Sequence, residues 1–213
     1  LPKIARTGRQ GMGMAEGVRP AVRLSGVAKS YGKVRALENL SFDVAEGRFF
    51  VLFGPSSVGK TTTLRTIAGL VQPDAGRVVV DGQVVSALRR DALMALRARI
   101  GFVFQFAALF DSMTIRDNVA FGLRRRRDLA EREISDRVAQ ALELVELPGT
   151  EERMPGELSG GMRKRVGLAR AIAIQPKYML YDEPTTGLDP VTSAVIDQLM
   201  IRTREALGVP SIV

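Results

Sequence analysis

Hydrophobic and polar residues alternate along the first third of the chain, and the period then changes. The segments "AVRLSGVAKSY" and "LSFDVAEG" alternate as exposed strands do, and "RFFVLF" is a continuous apolar run typical of a buried strand. A helix is predicted from Lys60 to Leu70. The segment "GRVVVDGQVV" predicts a hairpin with Asp81-Gly82 at its turn, and "DALMALRARI" predicts a short helix before the strand "IGFVF".

The rest of the chain, as far as Leu158, is mostly helical in pattern. Ile134, Val138, Ala141, Leu142 and Val145 recur at helical spacing, which predicts an amphipathic helix from about Leu129 to Leu147, packed on the core and ended by Pro148-Gly149. After Leu158 we expect a helix at "LSGG", a strand at "KYMLYDEP", a helix from about Pro190 to Leu207 and a last strand at "PSIV". Strands alternating with helices predict an α/β fold with a parallel sheet covered on both faces and a helical inserted lobe.

Composition narrows the classes of protein that remain. The 213 residues, 46% of them hydrophobic, suffice for one domain, and the absence of cysteine and histidine excludes disulfides and cysteine or histidine metal ligands. The longest apolar run, "IGFVFQFAALF", is about half as long as the ~20 residues that cross a membrane. Residues 1–20 contain no apolar stretch typical of a secretory leader, so we expect a disordered basic tail there.

The net charge of +8 suits a nucleic acid, an anionic membrane surface or a phosphate-rich ligand. The basic residues are dispersed except for "RRRR" at 124–127, and aromatic residues do not interleave with them as they do in single-strand binders. We therefore predict no direct contact with nucleic acid. The arginine run could face anionic lipid headgroups, but a solvated charge run is the preferred interpretation.

A phosphate-binding loop is predicted at "GPSSVGKTT", between a strand and a helix. Its glycines let successive backbone N–H groups point inward, Lys60 reaches the β and γ phosphates, and the Thr61 hydroxyl ligates magnesium. The predicted nucleotide-contacting residues of the loop are Gly54, Pro55, Ser56, Ser57, Val58, Gly59, Lys60, Thr61 and Thr62. Serine replaces a common glycine at position 57, which should cost little if its φ is negative. A glycine-rich turn that binds nothing is the alternative.

Two adjacent carboxylates end the apolar strand "YMLYDEP". Asp182 would lie at the carboxyl edge of the sheet, where it can hold magnesium, usually through water, and Glu183 would point at the attacking water. The alternative is an ordinary solvated strand end. Beside a phosphate loop, the catalytic interpretation is favoured.

A second anion site is predicted at the start of the helix in "ELSGGMRKRVGLARA". A helix that begins at Ser159 offers unpaired N–H groups and the positive end of a dipole, with Gly160 and Gly161 allowing close approach. These residues predict a receptor for the γ phosphate. The alternative is a capped helix in which Ser159 satisfies its own backbone.

Taken together, the phosphate loop, "LSGGM", "YMLYDEPTTGLDP", Gln105 and Tyr31 resemble the ATPase subunits of ABC transporters over about residues 21–213. The resemblance implies a P-loop NTPase of ABC type, with a mainly parallel core (21–104 and 163–213), an antiparallel β subdomain and a helical subdomain (about 105–162). It also implies that Tyr31 stacks on adenine, that Gln105 senses magnesium and the γ phosphate, and that Asp189 lies across a dimer interface. Strand packing for Tyr31 and a polar strand end for Gln105 are the alternatives.

The resemblance further implies that two copies pair head to tail around two ATP molecules, closing with ATP and opening after hydrolysis. The segments "ELSGGMRKRVGLARAIA" and "QFAALFDSMTIRDNVAF" are similar to the ATPases of Mce/Mla-type phospholipid transporters, including those called toluene-tolerance proteins. The implied partners are an integral-membrane permease, met by the segment from Phe106 to Phe121, and an MCE-domain lipid-binding protein. The implied location is the cytoplasmic face of the bacterial inner membrane.

Two other classes compete with this interpretation. A soluble ABC-type ATPase acting on nucleic acid or ribosomes is supported by the basic charge alone, and a P-loop kinase or GTPase leaves "LSGGM" unexplained. The family's switch histidine is expected a few residues beyond "PSIV", whereas the sequence ends at Val213. We therefore expect a C-terminally truncated sequence that binds ATP better than it hydrolyses it.

Overall fold

The computed structural model describes residues 5–6, 20–126 and 128–213. The chain divides into two compact units, one comprising Leu1–Arg97 with Val209–Val213 and the other Ala98–Gly208. Most of the predicted N-terminal tail and Arg127 lie outside the described residues. Within that tail, Ala5–Arg6 forms β1, which pairs antiparallel with β5 (Leu52–Phe53).

An antiparallel sheet dominates the first unit, in the order β3-β2-β6-β7. Its strands are β2 (Val22–Tyr31), β3 (Val34–Val44), β6 (Ala75–Val80) and β7 (Gln83–Val84). The predicted alternating strands are therefore confirmed. Asp81 and Gly82 join β6 to β7 with φ of 53° and 75°, the left-handed pair that a type I′ turn requires, which confirms the predicted hairpin.

The apolar run "RFFVLF" forms two short strands that are only partly buried. The first, β4 (Phe49–Phe50), pairs in parallel with β10 (Ser211–Ile212), and β5 follows Val51. Leu52 is buried, but Val51 and Phe53 are 41% and 63% exposed. The prediction of a continuously buried strand is wrong at these two positions. Side chains two residues apart share one face of a strand, so one face is covered here and the other is open.

The helices of the first unit are α1 (Lys60–Ile67) and α2 (Arg90–Arg97). Helix α1 ends three residues before the predicted Leu70, because Gly69 is left-handed with φ of 65°. Arg97 then donates from Nη2 to the carbonyl oxygen of Gly69 at 2.6 Å and from Nε to that of Ala68 at 3.2 Å. A side chain from α2 thus satisfies two carbonyls of the turn that follows α1.

The second unit packs helices around two parallel strands, β8 (Ile100–Val103) and β9 (Tyr178–Tyr181). All four residues of β9 are buried. The helices are α3 (Ile115–Ala120), α4 (Glu131–Leu144), α5 (Gly160–Ala173) and α6 (Pro190–Leu207). Helix α6 has the predicted bounds, because Pro190 fixes its first residue and left-handed Gly208 ends it.

Helix α4 ends at Leu144, earlier than the predicted Leu147. Glu146 is left-handed with φ of 59°, its N–H donates to the carbonyl of Glu143 at 2.9 Å, and the N–H of Leu147 donates to that of Leu142 at 2.8 Å. These two bonds form a Schellman motif with glutamate where glycine is usual. The left-handed residue Glu146 therefore ends α4 before Pro148-Gly149, and the predicted end of the helix was too late.

The predicted division into a core (21–104 and 163–213) and a helical subdomain (about 105–162) stays a prediction, since the compact units divide the chain at other points, after Arg97 and after Gly208. Among the residues with a described structure, none of the helices is long and apolar enough to cross a bilayer.

Asn118 anchors the segment that follows Gln105. Its side chain is fully buried; Oδ1 accepts from the N–H of Phe110 at 2.8 Å, and Nδ2 donates to the carbonyls of Phe110, Met113 and Thr114 at 3.0, 3.1 and 3.0 Å. One amide thus lies within hydrogen-bonding distance of four backbone groups of a segment with little regular structure.

We expect Asn118→Ala to lower the free energy of unfolding by about 3 kcal/mol, because it removes a fully buried side chain and its hydrogen bonds to a part-buried segment. Urea denaturation measures this loss. Asp111→Ala, at an exposed position of the same segment, is the control and should change it by less than about 0.5 kcal/mol. Equal effects of the two substitutions would contradict the anchoring role.

Candidate nucleotide-binding site

The phosphate loop lies in the first unit, between β5 and α1. A Cβ atom added to Gly54 would lie 2.9 Å from Cγ1 of buried Val58, and one added to Gly59, whose φ is 103°, would lie 2.3 Å from the carbonyl oxygen of Ala36. Both positions therefore require glycine. Pro55, Ser56 and Ser57 are exposed above Val58. This open, tightly turned loop before a helix N-terminus fits a polyphosphate.

Ser57 departs from the expectation stated above. Its φ is 66°, in the left-handed region, rather than negative. A serine in this conformation costs about 1 kcal/mol, because its Cβ approaches the following carbonyl. The sharp turn of the loop imposes this conformation, and a glycine at this position would adopt it without strain.

Lys60 folds back across the loop. Its Nζ donates to the carbonyl oxygens of Gly54 at 2.8 Å and Pro55 at 3.0 Å. Carbonyl groups solvate an ammonium without cancelling its charge, so the loop presents a positive charge to phosphate. Thr61 and Thr62 occupy the first turn of α1, where a hydroxyl oxygen is a ligand of the kind that Mg²⁺ prefers.

Tyr31 ends β2 and is 49% exposed. It pairs with Val34 of β3, and β3 also contacts the loop, since Gly59 packs against Ala36. The first unit therefore contains both the predicted base-stacking residue and the predicted phosphate loop, linked through β3.

Gln105, Asp182 and Glu183 come together in the second unit. Asp182 directly follows β9, is 3% exposed, and its N–H donates to the carbonyl of Val103 at 2.9 Å. Gln105 donates from Nε2 to Oε2 of Glu183 at 3.4 Å. Glu183 is left-handed with φ of 46°. A residue without glycine's freedom that adopts this conformation at a strand end is typical of functional sites.

Sequence reasoning missed three residues that position this group. Thr186 donates from Oγ1 to Oε2 of Glu183 at 3.1 Å, and Lys164 donates from Nζ to the carbonyls of Pro184 and Thr186 at 2.9 and 2.5 Å. Arg170 donates to the carbonyls of Ala107 and Ala108 at 2.5 and 2.6 Å. All three lie inside the quoted motifs, but the motif pattern does not indicate their partners.

Burial lowers the pKa of both Arg170 and Lys164. At Lys164 the nearby carboxylate of Glu183 acts in the opposite direction and raises the pKa. Each side chain thus brings its donors to backbone carbonyls from within a partly desolvated environment. Such donors fix a loop conformation more firmly than a solvated side chain does.

Helix α5 begins as predicted, with Ser159 as its N-cap. The serine Oγ accepts from the N–H of Met162 at 3.2 Å, so the hydroxyl caps its own helix as the alternative interpretation held. The cap does not use the first-turn amides of Gly160 and Gly161, which have no partner within an α-helix. A capped helix and an anion receptor are therefore compatible here.

The two glycines at the start of α5 have different surroundings. A Cβ on Gly160 would meet no atom within 4 Å, whereas one on Gly161 would lie 2.5 Å from Cγ2 of Thr192. Gly160 faces open space, and close approach of a ligand at this position stays a prediction. Gly161 instead lets α5 pack against the start of α6.

Asp189 is the N-cap of α6. Its Oδ1 accepts from the N–H groups of Val191 and Thr192, both at 3.0 Å, and its Oδ2 accepts from the hydroxyl of Thr192. The hydrogen bond from the Thr192 side chain lowers the pKa of Asp189, so the carboxylate is ionised at neutral pH. Thr192, which bonds Asp189, is also the residue that Gly161 packs against, so the starts of α5 and α6 are in contact there.

Comparison with known proteins identifies the class. The model of the ABC transporter family matches residues 37–186, so the chain belongs to the ABC transporter family. Its fold is shared with solved ATP-binding cassettes. The dimeric post-hydrolysis structure of the cassette MJ0796 bound to ADP and Pi gives a TM-score of 0.82 at 35% identity, covering 90% of this chain and 86% of that one. A second relative, cbiO1 from Clostridium perfringens, gives 0.81 at 30% identity, covering 91% and 77%.

The curated relatives include ATP-binding proteins named for transport. The chain is 42% identical over 201 residues to a protein of Mycobacterium leprae named probable ribonucleotide transport ATP-binding protein mkl, covering 94% of this chain and 56% of the relative. It is 40% identical over 200 residues to the intermembrane phospholipid transport system ATP-binding protein MlaF of Escherichia coli, covering 94% and 74%. The chain thus spans little more than half the length of some curated relatives.

We expect Gly161→Ala to lower the free energy of unfolding by about 1 to 3 kcal/mol, because the new methyl group would overlap that of Thr192. Thr192→Ser removes that methyl group and keeps the hydroxyl that bonds Asp189, so the double variant should recover most of the loss. Chemical denaturation of the single and double variants measures both effects.

Gly160→Ala is the matched control, since it adds the same methyl group to open space one residue earlier. It should leave the free energy of unfolding within about 0.5 kcal/mol of the wild-type value. If the two glycine variants were equally stable, the packing role of Gly161 would be wrong.

Proposed function

We propose that this chain is the ATP-binding and hydrolysing subunit of a membrane transporter, that it dimerises on binding ATP, and that the transported substrate is phospholipid. The proposal is supported by two candidate anion sites in one chain: a tightly turned glycine loop before α1 and a helix start at Gly160 where an added Cβ would meet no atom within 4 Å. A single-site kinase or GTPase has no use for the second. Two copies arranged head to tail use both.

The residues of the first unit bind the nucleotide. Tyr31 stacks on adenine, the N–H groups of residues 54–62 surround the phosphates, and Lys60 contacts the β and γ phosphates. The Thr61 hydroxyl is the oxygen donor of this unit that would hold magnesium, and Gln105 and Asp182 are the candidate donors of the second unit. When bound, magnesium neutralises the charge that develops on the phosphates.

The residues of the second unit perform hydrolysis. The Glu183 carboxylate orients the attacking water and accepts its proton, and its position is fixed by Thr186 and Gln105 through the 3.1 and 3.4 Å contacts. Ser159, Gly160 and Gly161 begin the helix that faces the γ phosphate of the partner's nucleotide, and Asp189 lies at the same interface. ATP therefore closes the pair, and loss of the γ phosphate opens it.

Coupling to a permease is supported by apolar surface after Gln105. Phe106 is 81% exposed and Phe110 is 40% exposed, and the ring of Phe110 packs 4.6 Å from that of Phe121. Exposed aromatic side chains of this kind mark protein contacts. The name of MlaF supports phospholipid as the substrate. An MCE-domain protein as a further partner, and the cytoplasmic face of a bacterial inner membrane as the location, belong to the same proposal.

The arginine run supports no separate contact with lipid or nucleic acid. Arg124 pairs with Asp117 and Arg126 with Asp128, each at 2.7 Å, and the Arg125 guanidinium lies 4.8 Å from the ring centroid of Phe121. These pairings favour the solvated charge run over a headgroup site.

Glu183→Gln in the full-length chain should reduce ATP hydrolysis by at least about 100-fold, because the amide cannot accept the proton of the attacking water. With hydrolysis blocked, MgATP should convert the variant to a dimer, whereas MgADP should leave it monomeric. Size-exclusion chromatography with light scattering measures the mass in each state.

Two variants complete this experiment. Ser159→Arg added to Glu183→Gln should restore the monomer, because a bulky side chain would occupy the receptor at the start of α5. Glu205→Gln, at an exposed position of α6, should behave as wild type. A Glu183→Gln protein that binds ATP and remains monomeric would contradict the proposed function.

A further inference from the structure

A carboxylate from a neighbouring turn fixes the end of β2, where Tyr31 lies. Asp74 accepts from Nζ of Lys29 at its Oδ1 and from the backbone N–H of Ser30 at its Oδ2, both at 2.7 Å. The hydrogen bond from Lys29 lowers the pKa of Asp74, so the carboxylate is ionised at neutral pH. One side chain thus contacts both residues that precede Tyr31.

Asp74 continues the hydrogen bonding of β2 beyond the point where its pairing with β6 ends. The two strands pair as far as Ala28 and Ala75, and the N–H of Asp74 donates to the carbonyl of Ala28 at 2.8 Å. Strand β6 does not continue alongside Ser30. The Asp74 side chain supplies the missing acceptor there, so the backbone immediately before Tyr31 is held on the β6 side as well as by β3.

Lys29 also contacts the tyrosine itself. Its ammonium lies over the Tyr31 ring, 5.7 Å from the ring centroid, and its side chain is only 17% exposed. A cation at this distance is attracted to the ring face and occupies it. A planar ligand that stacks on Tyr31 must therefore use the opposite face.

Tyr31 and the phosphate loop are connected through β3. Ser30 pairs with Arg35 and Lys29 pairs with Leu37, and the residue between those two partners, Ala36, is the one that Gly59 contacts. The strand that pairs with Lys29 and Ser30 therefore also contacts the phosphate loop.

We propose that Asp74 and Lys29 are positioning residues for nucleobase recognition: the carboxylate fixes the Ser30 backbone and the ammonium, and the ammonium covers one face of Tyr31, so that the base stacks on the other face. This inference rests on the proposed function, in which Tyr31 stacks on adenine. Its consequence is specific, because the pair acts on affinity for the base and leaves affinity for the phosphates unchanged.

The test compares MgATP with magnesium tripolyphosphate, which lacks the base, by isothermal titration calorimetry on the full-length chain. Tyr31→Ala should weaken MgATP binding about tenfold and leave tripolyphosphate binding within about twofold, since stacking acts on the base alone. Asp74→Asn should weaken MgATP binding about fivefold and leave the affinity for tripolyphosphate within about twofold. Lys29→Met, which keeps the length of the side chain without its charge, should act in the same direction.

Asp43→Asn is the matched control. Asp43 pairs with Arg23 through two contacts of 2.9 Å on the same strands, at the end of the β2–β3 ladder remote from Tyr31. It should leave binding of both ligands unchanged. In the double variant Tyr31→Ala, Asp74→Asn, the second substitution should add nothing to the first, because the pair acts only through the ring.

The outcomes separate this inference from the proposed function. If Tyr31→Ala weakens MgATP binding and Asp74→Asn does not, the positioning role is overturned and the stacking role stands. An equal loss of both ligands in Asp74→Asn, or an additive loss in the double variant, overturns it also. If Tyr31→Ala has no effect on MgATP, the stacking role fails, and the positioning role with it.

Discussion

Hydrogen bonds from the side chains of α5 to backbone carbonyls are the interaction on which the loops around Gln105 and Glu183 depend. Arg170 bonds the carbonyls of Ala107 and Ala108, just beyond Gln105, and Lys164 bonds those of Pro184 and Thr186, just beyond Glu183. The N-terminus of the same helix carries the predicted phosphate receptor. One helix therefore holds both loops, and the same helix begins at the predicted anion site.

Those hydrogen bonds are needed because the loops are strained. Ala107, Ala108 and Glu183 have φ of 57°, 50° and 46° without being glycine, and each such residue costs about 1 to 2 kcal/mol. Hydrogen bonds from charged donors contribute about 1.5 to 3 kcal/mol each, which is enough to offset that strain. Gly167 completes the support, since a Cβ there would lie 3.3 Å from the Ala107 backbone. Replacing these loops with relaxed ones would release strain but would lose the positions of Gln105 and Glu183.

The sequence was sufficient to predict an element where residues within that element determine its conformation. Asp81-Gly82 specifies a type I′ turn, and Pro190 and Gly208 bound α6, because each of these residues restricts its own φ. The sequence was insufficient where a residue far along the chain determines a conformation or a role. Glu146 ends α4 in a conformation that glutamate disfavours; its carbonyl accepts from Arg165, and its carboxylate pairs with Arg202, 56 positions along the chain. The predicted site shows the same contrast. The motifs identify the phosphate loop and Glu183, but Thr192, which determines the role of Gly161, lies 31 positions away from it in the chain.

The net charge of +8 has a structural origin that makes it weak evidence for a nucleic-acid partner. Several basic side chains donate to carbonyl oxygens: Lys60, Arg97, Arg163, Lys164, Arg165 and Arg170. A carbonyl satisfies the donor without a compensating negative charge, so each such residue adds to the net charge while its side chain is committed to the fold. Loops and helix ends with many outward carbonyls therefore favour an excess of basic residues. A surface that binds nucleic acid would instead need basic side chains directed to solvent in a continuous patch.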